Sequence, residues 1–306
     1  MEITEHATGL TFPEGPVVLP DGSLYVTESP LGRITRIAPD GTTSTVAEVG
    51  LGPSGLAFGP DGHLYCANSG GSAGHRALNR VNMPRPSWPE FKGGLIQRID
   101  PSTGEFETLY DRYGDGQLMQ APNDLVFDSH GGMWFTDHGR DDERGRNYGG
   151  IFYATVDGTH IERMELSFVS PNGIGLSPDE RTLYVADSFL GRLWAFDVEA
   201  PGKLGPSPSP VVPARVVQTL PGYQILDSLK VEAGGKICVG TIINGGVTVF
   251  DEDGATEHVP MPDVMITNLC FGGADMQDVY VTASTTGKIL RCRWPRPGLR
   301  LNFNPY

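Results

Sequence analysis

The chain has 306 residues, with 37 Asp and Glu against 23 Lys and Arg and a formal net charge of -14. A surface this acidic, with no clustered basic stripe, argues against nucleic acid and anionic membranes as partners, and no apolar run approaches the length of a membrane span. With 41 Gly, 25 Pro and no sustained 3.6-residue apolar period, the composition is that of a turn-dense all-β chain.

Six copies of one unit follow each other along the chain. They begin FPEGPVVLPDG, GPSGLAFGPDG, APNDLVFDSHG, SPNGIGLSPDE, ILDSLKVEAGG and MITNLCFGGAD, and their hydrophobic register places Glu14, Ser54, Asn123, Asn172, Asp227 and Thr267 at one equivalent position. Each continues into a β-branched and aromatic run that ends at a second equivalent position: Glu28, Asn68, Asp137, Asp187, Thr241 and Ala283. The offset is 14 residues in four units, 15 in the fourth and 16 in the sixth. Third strands start after Gly32, Gly94, Gly150, Gly191, Gly246 and Gly287, and weaker fourth strands centre near Val46, Leu109, Met164, Val217 and Val259. No fourth strand follows Trp294, and the segment around Ile3 is expected to supply it.

Four-stranded units of roughly 40–50 residues predict a radial β-repeat. The expectation is therefore an all-β, six-bladed β-propeller covering 1–306 as one domain, its ring closed by the N-terminal strand, which removes exposed sheet edges. The longest spacing reflects an insertion at about 70–93 in blade two, which carries His75, Arg76, Arg80, Arg85, Trp88 and Phe91. Arg85 and Trp88 are candidate substrate-loop residues, with a surface flap or subunit contact as the other reading. The Pro- and Ser-rich stretch after Ala200 reads as a solvated loop. Cys66, Cys238, Cys270 and Cys292 lie in apolar strands without metal-ligand spacing and read as buried free thiols. The N-terminus MEITEHATGL has no signal-peptide pattern, so the chain is expected in the cytoplasm, as a monomer or small homo-oligomer.

In a propeller, equivalent positions converge on the axis. Glu14, Asn172 and Asp227 bring two carboxylates and an amide carbonyl together, the donor set of a hard divalent cation; Ca²⁺ fits best, with Zn²⁺ or Mn²⁺ as alternatives. Asn123 offers a further oxygen or holds a water. Two carboxylates gathered without a cation would repel, and one would have to bind a proton. The competing expectation is a polar channel lining that hydrogen-bonds to itself.

FPEGPVVLPDGSLYVTE, APNDLVFDSHGGMWFTD, SPNGIGLSPDERTLYVAD and ILDSLKVEAGGKICVGT resemble, in order, the blade motifs of the senescence-marker-protein, gluconolactonase and luciferin-regenerating-enzyme family. The resemblance implies a lactone hydrolase with one axial divalent metal, Glu14, Asn172 and Asp227 falling on its ligands and Asn123 on its substrate-side Asn. Two departures stand out: Ala121 occupies the place of an Arg seen in the sugar lactonases of animals, and the Asp227-Ser228 pair is like that of a bacterial branch, making Ser228 a secondary ligand candidate. Asp227 and Asn123 are the candidate catalytic residues, with Asp227 the proton acceptor; Asp187, Asp137 and His138 are secondary candidates. The expected partner is a small-molecule lactone. The alternatives are a phosphotriesterase or other esterase on the same site, and a ligand-binding propeller without catalysis.

Overall fold

The computed structural model describes residues 1–50, 52–71, 75–78, 81–84, 91–142, 145–165 and 168–306, with backbone alone at 75–78, 81–84 and 142. Among these residues the strands form six sheets of at least four strands and three short hairpins. The axial strands are Pro13–Val18, Pro53–Phe58, Pro122–Phe127, Pro171–Leu176, Ile225–Val231 and Ile266–Gly272. Four open on proline, which costs no ladder bond at the first residue of a strand. In the sixth sheet Ile3–Ala7 pairs antiparallel with Lys288–Arg293, so the N-terminal strand closes the expected six-bladed ring.

The buried apolar residues form six clusters, each between two neighbouring blades, the last joining Val18, Leu24 and Ile37 of blade one to Cys270, Tyr280 and Ile289 of blade six. Every blade thus buries both faces, and hydrophobic burial, rather than covalent linkage, fastens the ring. The four cysteines are free and buried; burial pushes the Cys66 and Cys270 thiols up to about 12.

All six axial strands break register within three residues of the repeated polar position, for example between Glu14 and Val17 and between Pro171 and Ile174. A bulge of this kind re-aims a side chain without ending the sheet. Gly15 shows why glycine follows Glu14: its φ is +52°, and a Cβ there would lie 2.3 Å from the Ser54 carbonyl oxygen of the next blade. The C-terminal segment after Arg293 crosses the far end of the axis, where Asn302 Nδ2 donates to Phe127 O at 3.1 Å and a void of about 70 Å³ remains.

Candidate active site at the mouth of the ring

Glu14, Ser54, Asn123, Asn172 and Asp227 line one cavity of about 480 Å³. Five of the six repeated positions, drawn from five blades, therefore meet. The sixth, Thr267, is buried and bonded to Thr282 and Ser284 hydroxyls at 2.9 and 2.6 Å. Glu14 and Asp227 are both buried. Burial raises the Glu14 carboxyl to about 7 against hydrogen bonds from Thr267 and Gly15, with the Asp124 charge adding to the rise. Burial raises Asp227 well above the usual carboxylate range, and the Glu14 charge adds to it.

The two amides are set with their oxygens unengaged. Asn172 Nδ2 donates to Ser188 Oγ at 3.1 Å, and Ser188 Oγ donates to Leu226 O at 2.7 Å. That chain ties down the nitrogen side of Asn172, while Asn172 Oδ1, Asn123 Oδ1 and Ser228 Oγ are buried without a hydrogen-bond partner among the described residues. Buried polar atoms are nearly always paired. Two acids and two orphaned amide oxygens together are the donor chemistry of an oxygen-liking divalent cation, so Glu14, Asn123, Asn172 and Asp227 fit such an ion. Among the described residues no group of three His, Cys, Asp or Glu is arranged for a metal, which leaves a mixed carboxylate and amide set as the candidate.

The second column does something else. Asp137 accepts the backbone N–H groups of Gln120, Ala121 and Gly139 at 2.6, 2.7 and 3.0 Å. Asp187 Oδ1 accepts from Ser170 Oγ at 2.8 Å, and Glu28 accepts Thr11 N at 2.7 Å. Burial raises the Asp137 and Asp187 carboxyls. Neither borders the cavity, and both clamp the segment that leads into an axial strand. Ser228 is likewise off the cavity wall.

His138 does face the cavity. Burial first and the Arg146 charge second push its imidazole down to about 4, and Nδ1 has no hydrogen-bond partner among the described residues. Arg85 and Trp88 lie outside the described residues. Phe91, at the end of the same insertion, lies under the Arg140 guanidinium at 3.7 Å, and Arg140 borders the cavity.

Several wall residues had not been singled out from the sequence. Arg140, Asp141 and Arg146 are carried by the hairpin Arg140–Asp142 and Gly145–Asn147, and Phe189 sits between the His138 ring, 5.5 Å away, and the Arg146 guanidinium, 4.8 Å away. The signal was present: Asp137 and Gly150 are 13 residues apart, where Glu28 and Gly32 are four apart. One layer down the axis, Lys230 Nζ reaches Asp124 Oδ2 at 3.5 Å, Leu229 O at 3.0 Å and Asn268 Oδ1 at 3.3 Å, while Asn268 Nδ2 donates to Glu14 Oε2 at 3.3 Å. The partly buried ammonium thus offsets a third carboxylate, Asp124, beneath the site.

A six-bladed propeller with an oxygen-donor site at its mouth is the class that this geometry defines. The model of the SMP-30/Gluconolactonase/LRE-like region matches residues 12–285, and the chain belongs to that family. A gluconolactonase of Zymomonas mobilis subsp. mobilis is 26% identical over 304 aligned residues, covering 91% of this chain and 78% of that protein. A diisopropyl-fluorophosphatase of Loligo vulgaris is 24% identical, covering 97% and 92%. The solved structure of a gluconolactonase from Xanthomonas campestris superposes with a TM-score of 0.74 at 24% identity over 96% of this chain and 89% of that one, which shows the common fold.

Proposed function

We propose that this chain is a lactonase, which opens the ring of a small-molecule lactone to the hydroxy acid with one divalent cation, most simply Ca²⁺, held by Glu14, Asn172 and Asp227. The observation that carries this reading is the meeting of two buried carboxylates with unpartnered amide oxygens in a chain whose family includes gluconolactonases. When bound, such a cation polarises a carbonyl and makes water a usable nucleophile near neutral pH.

The protein's own groups do the rest. Asn123, carried by blade three on the cavity wall, positions the substrate. Asp227 takes the proton of the attacking water as the bond from its oxygen to the carbonyl carbon forms, and that proton passes to the ring oxygen as the ester bond breaks. Hydrogen bonding of Asn172 Nδ2 to Ser188 keeps the Asn172 oxygen aimed inward without reorganisation. The relative from Loligo vulgaris supports a second reading, hydrolysis of a phosphorus ester at the same site.

The test is a panel of lactones and phosphotriesters followed by pH-stat after chelator treatment and reloading with Ca²⁺, Mn²⁺ or Zn²⁺, with Asp227→Asn in parallel. Lactone opening that needs the added ion, and a fall in turnover of about 10² or more in metal-loaded Asp227→Asn, support the proposal. Activity on phosphotriesters alone would favour the second reading. Near-wild-type turnover in the variant would move the proton-accepting role to another group, with His138 next to test.

A further inference from the structure

The cavity has a second lobe of about 360 Å³, which shares His138, Asn172, Phe189 and Asp227 with the first. Among the described residues its remaining wall is almost wholly aliphatic: Ile225, Ile242, Ile243, Val264 and Met265, with Ser188 as the one further polar residue. The Ser188 hydroxyl is already spent between Asn172 and Leu226. Its polar groups therefore gather at the end that faces Asp227, and among the described residues the far wall offers a ligand no hydrogen bond from a side chain.

This wall is exposed apolar surface held in place. Phe189, Ile243 and Val264 are 45%, 51% and 54% exposed at the rim. Ile243 adopts φ +80°, a conformation that a β-branched residue rarely takes and that Gly or Asn would adopt more easily. The Ile243 N–H donates to Val264 O at 3.0 Å, and Ile242 bridges to Met265, so blades five and six are zipped together beneath the two side chains. Strain retained at a rim, an apolar patch and continuity with a polar centre are together the marks of a ligand site.

Resting on the lactonase reading, we propose that the substrate carries an unbranched alkyl substituent on its ring, which docks in this lobe while the ester faces Asp227 and Asn123. A polyhydroxylated sugar lactone would leave its hydroxyls unpaired against the aliphatic wall, whereas an alkyl chain loses only water there.

Two series test this. The first measures kcat/KM on γ- and δ-lactones with chains from methyl to octyl, beside D-glucono-δ-lactone; the second measures calorimetric binding of the matching alkyl lactams, which are not hydrolysed. Each methylene should raise kcat/KM and lactam affinity about three- to fourfold until the lobe is full, and Ile243→Asn and Val264→Asp should flatten both slopes. Asn suits φ +80°, so the first variant separates lost apolar surface from lost folding. Lactones opened with no chain-length dependence, or slopes unchanged in both variants, would overturn the lobe assignment and leave the lactonase reading standing. Lactam affinity that climbs with chain length while no lactone is opened would do the reverse. Chain-indifferent lactam binding together with self-association abolished by Val264→Asp would overturn it in favour of a protein contact face.

Discussion

Gly15→Ala tests how the ring sets the site. Gly15 has φ +52°, and an added Cβ would lie 2.3 Å from Ser54 O and 2.9 Å from Leu56 N, both backbone atoms that no rotamer change can move. Gly62, in a surface turn at φ +77°, has nothing within 4 Å of the same added atom. The left-handed conformation alone should cost about 1–2 kcal/mol in each variant. Only Gly15→Ala adds the forced separation of two axial strands, about 1–3 kcal/mol more on the scale of overpacking. Equilibrium urea unfolding, followed by tryptophan fluorescence and circular dichroism together, measures both. The same displacement moves the Gly15 N–H, which donates to Glu14 Oε2 at 3.1 Å, so Gly15→Ala should also weaken Ca²⁺ binding while Gly62→Ala should not. Equal destabilisation by the two variants, with equal ion affinity, would refute the contact between blades one and two as the device that seats Glu14.

Glu14→Gln keeps the shape but removes charge from the donor set, so ion affinity measured by calorimetry should fall by about 10²; unchanged affinity would take Glu14 out of the site. Asp137→Asn replaces one accepting oxygen with a donor that faces the Gln120 N–H, so it should lose about 1–3 kcal/mol of stability with ion affinity unaltered; a loss of ion without a loss of stability would place Asp137 among the ligands. Lys230→Met leaves Asp124, 1% exposed at the side chain, without its counter-charge and should cost about 3–5 kcal/mol, largely restored by Lys230→Met with Asp124→Asn; no recovery in the double variant would sink the pairing.

What the sequence showed clearly was what the repeat made redundant. Blades are alike in their apolar positions, so a polar residue that changes identity at a fixed place stands out, and Glu14, Asn123, Asn172 and Asp227 were found that way. Residues without a counterpart in other blades had no such contrast. Arg140 and Arg146 sit on a hairpin inserted between the second and third strands of blade three, Lys230 reads as an ordinary outward lysine in a strand, and the tail that covers the far end of the axis has no repeat signature.

The second column lies off the cavity wall for a geometric reason that also explains why it is polar. Its residues pair across the sheet with the position just before each axial residue, Pro13 with Glu28, Pro122 with Asp137 and Pro171 with Asp187. From there a side chain points back along the incoming segment, where Thr11, Gln120, Ala121 and Ser170 offer donors that no strand ladder uses. A buried carboxylate that accepts those donors fixes the angle at which the chain enters the axial strand. The bulge beyond it then turns the next side chain toward the axis. Spacing alone records that the two columns recur together. In the structure the second-column carboxylates accept the donors of the segments that enter the axial strands, so changes in the second column should act on ion binding only through the stability of the loop each one clamps.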